Sequence, residues 1–238
     1  MAKPKGKPDK DAVVEATMAL AAERPWDDIE IGDIAEAAGV TLAEFREMFP
    51  SKGAVLGAFA RKMDLAVLAD QNDELAGEPA RERLFDVYMR YLDAMAPYKT
   101  ALRRIAFAVR SDPLALAALN QVALNSHRFI LAAARIPTED ALGTIKLQGS
   151  VITLARVLET WFDDDEPDHA RTMAKLDSEL GRAERFMERA EDFRRFTTPF
   201  RAIGQAILDS RKRFRRRDHR PGDDIHDEGE TRNPAAAI

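Results

Sequence analysis

Apolar residues return every three or four positions in nearly every segment of this chain, and the two-residue alternation of a half-buried strand is missing. That one feature restricts the fold to an all-α architecture, and punctuation sets how many helices there are. Pro25 ends a first helix whose buried face carries Val13, Val14, Ala16, Thr17 and Leu20. A short helix is predicted at about 28–38, with Ile31, Ile34, Ala35 and Ala38 on one face and Gly39 placed for a left-handed cap. Thr41 and Glu44 have the spacing of a capping box and open a helix to Met48; Ser51 caps another that runs to about Leu75. After Gly77-Glu78-Pro79, longer helices are predicted at about 80–96, 98–111, 113–135, 138–163, 168–196 and 199–217, giving about ten in all. Residues 1–8 and the Pro-, Gly- and acid-rich stretch 218–238 have too few apolar residues to support a core and are expected to be disordered.

Composition narrows the chemistry. No run reaches the roughly 18–20 apolar residues of a membrane span, and no apolar stretch follows the N-terminal lysines as it does in a secretory signal. Cysteine is absent, which removes disulfides and thiolate metal sites, and a cytoplasmic location is expected by elimination. The net charge of −5 is unevenly spread. Between Asp27 and Pro50 seven acids face a single Arg46, whereas from Arg182 to Arg217 twelve bases outnumber five acids. The four histidines are scattered, no phosphate-binding glycine loop occurs, and Asp163-Asp164-Asp165-Glu166 reads as a solvated loop capping the next helix. Neither a catalytic constellation, a metal site nor a cofactor site is expected.

Several features over residues 9–65 occur in a recognisable order: Pro25-Trp26, Ile34-Ala35, Ala38-Gly39-Val40-Thr41, Phe49-Pro50-Ser51-Lys52 and Val55-Leu56. This run resembles the helix-turn-helix head of the TetR family of bacterial transcriptional regulators. The resemblance implies a DNA-binding head at 9–65, a helical effector-binding and dimerisation body at 66–217, and a tail at 218–238. It implies double-stranded DNA as partner, with Thr41, Leu42, Ala43, Glu44, Arg46 and Lys52 as DNA-facing residues. The chain departs from the family where Leu42-Ala43-Glu44-Phe45-Arg46-Glu47-Met48 replaces the usual Lys-Gly-Thr-Leu-Tyr-His-Tyr. A carboxylate aimed at the DNA backbone opposes phosphate neutralisation. Glu44 escapes this objection if it turns back to cap its own helix; Glu47, one turn on, escapes it only by pairing with the neighbours of Arg46 or by reading a cytosine amine.

The body offers a candidate pocket. Tyr88, Tyr91, Phe107, Asn120, Asn125, His127, Gln148 and Trp161 could line an apolar cavity with a few polar fixings, or be ordinary core with polar groups at its rim. The family resemblance implies a small apolar effector there, and homodimerisation through helices 138–163 and 168–196, where Val151, Leu154, Ala155 and Leu158 form one apolar face. Phe193, Phe196 and Phe200 recur at helical spacing among arginines, a pattern that fits either a helix packed on the body or a peripheral membrane contact. The segments VYMRYLDAMAPYKTALRRIA and HARTMAKLDSELGRAE also resemble TetR-fold ubiquinone-biosynthesis accessory proteins, which implies lipid or quinone binding without DNA binding.

Overall fold

The computed structural model describes residues 9–69 and 73–190, and among these the fold is all-α with no strand. Eight α-helices run through the described residues: α1 Lys10–Glu23, α2 Ile31–Ala37, α3 Leu42–Met48, α4 Lys52–Ala69, α5 Ala80–Met95, α6 Lys99–Val109, α7 Pro113–Ala133 and α8 Gly143–Trp161. A ninth, α9, is helical from 170 to 190, where the described residues end. The predicted helix 199–217, the tail 218–238 and Phe193, Phe196 and Phe200 lie outside the described residues. None of the described helices is long and apolar enough to cross a membrane. Residues 1–187 form one compact unit, which holds everything discussed below; of the second unit, 188–238, only the helical residues 188–190 are described.

The first three helices are fixed by their ends. Asp9 caps α1 by accepting from the Asp11 amide at 3.0 Å. Thr17 tolerates the fully buried face because its hydroxyl donates to the Val13 carbonyl at 2.7 Å. The second helix begins at Ile31 rather than 28, because Trp26–Asp28 wind into a 3₁₀ turn and the Asp33 carboxylate receives the Glu30 amide at 2.8 Å. It ends on Gly39 at φ 68°, with Val40 N donating to Ala35 O at 2.9 Å and Gly39 N to Glu36 O at 3.0 Å. That pairing is a Schellman cap, and it needs a residue without a Cβ penalty at the left-handed position.

α4 is described as far as Ala69, the predicted end at Leu75 falls in a 3₁₀ helix, Asp73–Gly77, and α4 packs on α1, α5 and α7, while α6 packs on α1. One core therefore continues from Val13, Ile34, Phe45 and Val55 through Phe59 and Met63 to Tyr88, Leu92 and Trp161. The helix predicted at 138 starts at Gly143 instead. The end of α7 repeats the Schellman pattern on Arg135 (φ 55°), with Ile136 N donating to Leu131 O at 2.8 Å. The chain then folds back so tightly that a Cβ on Gly143 would lie 1.7 Å from the Thr138 carbonyl oxygen. Among the described residues no side chain caps α8; Asp140 instead braces the turn before it, its carboxylate accepting from Leu142 N at 3.1 Å and its carbonyl from Gly143 N at 3.0 Å. The start of α9 is set by Asp164, whose carboxylate takes both Thr172 N (2.8 Å) and Thr172 Oγ1 (2.6 Å).

Candidate functional site: an outward helix and an apolar cavity

Thr41 caps α3, and Glu44 completes the box. The Thr41 hydroxyl receives the Glu44 amide at 3.2 Å, and the Glu44 carboxylate accepts from Thr41 N at 2.7 Å and Thr41 Oγ1 at 2.9 Å. Glu44 thus spends its charge on its own helix N-terminus, where the helix dipole favours it. Phe45 and Phe49 turn inward and are nearly fully buried, which leaves Leu42, Ala43, Arg46 and Glu47 on the outer side. Leu42 is 61% exposed.

The cations of this head are largely occupied. Lys52 Nζ donates to Trp26 O at 2.7 Å and to Ile29 O at 2.9 Å, and lies 4.3 Å from the Trp26 ring centroid. It clips the 3₁₀ turn to the start of α4; burial pushes its ammonium below the ordinary lysine value, with nearby Asp27 opposing. Arg24 pairs with Asp33 at 2.8 Å, and Arg46 donates to Pro50 O at 3.0 Å. Asp27, Asp28, Glu30, Glu36 and Glu47 stay exposed. Of the residues expected to face DNA, Thr41, Leu42, Ala43 and Arg46 are outward, whereas Glu44 and Lys52 are engaged within the head.

The body contains a cavity of about 330 Å³ walled by α4, α5, α6, α7 and α8. Leu56 and Phe59 of α4, Leu102 and Ile105 of α6, Leu119 of α7 and Leu154 of α8 supply much of its apolar surface. Of the eight residues proposed from sequence, Tyr91, Asn120, His127 and Gln148 reach this wall. Tyr88 is fully buried behind it, donating to Ser150 O at 3.0 Å, and its hydroxyl lies 3.4 Å from His127 Nδ1. Trp161 is also fully buried, next to the wall residue Phe162, with Lys99 Nζ 5.5 Å from its ring. Phe107 lies on the opposite side of α6 from the buried Ala101 and Ile105 and is 77% exposed; Asn125 is exposed and holds Arg128 at 2.9 Å. Val151, Leu154, Ala155 and Leu158, the apolar face expected to meet a second chain, line the cavity.

Polar groups collect in one part of the wall. Ser126 donates to the buried Asp64 carboxylate, and Tyr91 OH lies 3.3 Å from Ser126 Oγ. His127 Nδ1 is 2.7 Å from Ser150 Oγ, and burial holds its pKa down at about 3, so the ring is neutral at ordinary pH. Burial pushes the Asp64 carboxyl above the usual range, with the Ser126 hydrogen bond opposing. Asp64 and Ser126 were not anticipated from sequence, yet each had a signal: a polar side chain on an otherwise apolar helical face, Asp64 one turn beyond Ala60. The acidic loop, by contrast, is spent on structure. Asp163 pairs with Arg103 at 2.6 Å, Asp165 with Lys99 at 3.3 Å, and Asp164 holds Thr172.

No family model matches the chain, and no curated protein does. Among solved structures it is similar to a TetR transcriptional regulator from Nitrosomonas europaea, with a TM-score of 0.59 at 21% identity over 74% of this chain and 97% of that one. It is also similar to a TetR transcriptional regulator from Rhodococcus sp. RHA1, with a TM-score of 0.50 at 18% identity over 73% of this chain and 93% of that one. At these identities the likeness is one of fold.

Proposed function

We propose that this chain, which has the fold of the TetR transcriptional regulators, is a ligand-responsive regulator that binds a small apolar effector in the α4–α8 cavity and operator DNA through α2 and α3. The observation that carries this reading is the position of α4. Val55 of α4 is buried in the head core, while its neighbours Leu56 and Phe59 wall the cavity. A ligand that shifts α4 therefore acts on the core that α4 shares with α1 of the head, and a coupling of about 1–3 kcal/mol is enough for a 5- to 150-fold change in affinity. Thr41, Leu42, Ala43 and Arg46 are the residues offered to DNA. A homodimer through α8 and α9 would present two heads to half-sites about 34–36 Å apart.

A second reading is favoured by the charge of the head. With Lys52 and Arg24 engaged and five exposed acids nearby, little positive potential remains for phosphates. On that reading the same cavity serves a TetR-fold lipid- or quinone-binding accessory protein without DNA binding. Fluorescence anisotropy with DNA from upstream of its own gene, titrated from low to high salt, separates the two. A regulator loses affinity steeply with salt and binds less well as Arg46→Ala. Ligand binding without any DNA binding leaves the accessory reading.

A further inference from the structure

The cavity is apolar almost throughout, and its few polar side chains are not equivalent. Asn120 and Gln148 are already paired across α7 and α8, each with one donor and one acceptor: Gln148 Nε2 donates to Asn120 Oδ1 at 3.1 Å, and Asn120 Nδ2 returns to Gln148 Oε1 at 3.4 Å. The Nδ1 of His127 is taken by Ser150. Tyr91 OH and Ser126 Oγ differ, because the Ser126 proton goes to Asp64, which leaves Tyr91 as the donor of a mutual contact of 3.3 Å that is long for a pair of hydroxyls. A Tyr91 hydroxyl held this loosely can turn to donate to a carbonyl or to accept from a hydroxyl at little loss.

Charge sets the other limit. No lysine, arginine, aspartate or glutamate lines the cavity among the described residues. A carboxylate or phosphate placed against Tyr91 and Ser126 would be desolvated without a cation, with the Asp64 carboxyl directly behind Ser126. An ammonium fares little better. Asp64 does not reach the wall, and the Ser126 hydroxyl occupies its Oδ1, so a cation in the cavity would stand one hydroxyl away from any counter-charge. Room is modest too: 330 Å³, partly open to solvent, corresponds to on the order of ten groups the size of a water molecule at about 30 Å³ each.

We infer that the cavity selects an uncharged amphiphile, a chain of about ten carbons ending in a hydroxyl or carbonyl that meets Tyr91 and Ser126. The inference rests on the cavity being a ligand site, as proposed above. Isothermal titration of the full chain at pH 7.5 with three chain-matched probes tests it: decan-1-ol, decanoate and decylammonium. Decan-1-ol is expected to bind at least tenfold tighter than either ion, and Tyr91→Phe, which keeps the ring in place, is expected to weaken decan-1-ol three- to tenfold. Equal or tighter binding of decanoate or decylammonium overturns the uncharged head group. An unchanged decan-1-ol affinity in a folded Tyr91→Phe variant overturns its placement. If none of the three probes binds, the cavity is not a ligand site, and the reading of the previous subsection falls with this one.

Discussion

Lys52 is the residue whose role changes most between sequence and structure, and replacing it by methionine isolates that role. Methionine keeps the apolar stem and removes the ammonium, so the loss is confined to two hydrogen bonds and one ring contact. Hydrogen bonds from a charged donor contribute about 1.5–3 kcal/mol each, and a partly exposed cation–π contact about 0.5–1 kcal/mol. Lys52 is only part-buried and Trp26 O keeps its bond from Ile29 N at 3.3 Å, so the lower ends apply and the sum is about 3.5 kcal/mol. For a unit of this size that corresponds to a fall in Tm of about 7–14 °C. A lysine held in solvent for a DNA phosphate would instead cost within about 0.5 kcal/mol of stability on replacement. Differential scanning calorimetry of Lys52→Met against Arg46→Ala reads the contrast directly. A Tm change under about 1 °C in Lys52→Met, together with a DNA salt slope reduced by about one, would refute the clip and restore Lys52 to the DNA-facing set.

Three further outcomes follow from the buried groups and the tight turn. Gly143→Ala places a methyl on the Thr138 carbonyl, and backbone cannot yield as a side chain can, so a loss of at least about 3 kcal/mol in urea denaturation is expected. His127 has a folded pKa lowered from 6.5 to about 3 by burial, so the unfolded chain takes up a proton first and stability falls as pH drops from 6.5 toward 3. Wild type minus His127→Asn should lose about 2–3 kcal/mol between pH 6.5 and 4.5, at about 1.4 kcal/mol per unit. Asp64 has the opposite sign: burial raises its folded pKa, so its contribution is present below the unfolded value of 3.8 and is lost as pH rises through the folded one. Asp64→Asn should therefore gain on wild type as pH increases from 4 to 7, measured by the same denaturation series.

The helices were legible because their signals are local. Pro25, Gly39, the Thr41–Glu44 box and the proline at the start of α7 each act within four residues, and each does in the fold what its spacing implies. What failed depended on contacts across longer separations or on which face a helix turns. The start of α8 at Gly143 is dictated by a close approach to Thr138 that no period reveals. Periodicity found the apolar stripe Val151–Leu154–Ala155–Leu158 but could not say whether it meets another chain or a cavity. Lys52 reads as a free surface cation because its partners, Trp26 and Ile29, lie 26 and 23 residues away. Half of the pocket set lies on the cavity wall, because polar residues interrupting an apolar face are visible in sequence; Phe107 does not, since its ring looks the same from either side of α6.

The clip and the cavity meet on one helix, and that bounds what the protein can transmit. α4 is pinned at its first residue by Lys52, packed against α1 in the middle and faced by α7 along the wall. A ligand that filled the cavity without displacing Leu56 or Phe59 would stabilise both positions of the head equally and shift nothing, however tightly it bound. On the ligand-responsive reading, the occupant must bind one position of α4 better than another, so that α4 tilts about its anchored end. The same anchoring makes Lys52→Met the perturbation most able to separate binding from response. Freed at its start, α4 can follow the ligand without carrying the Trp26–Ile29 turn, and ligand affinity should survive while its effect on the head is lost.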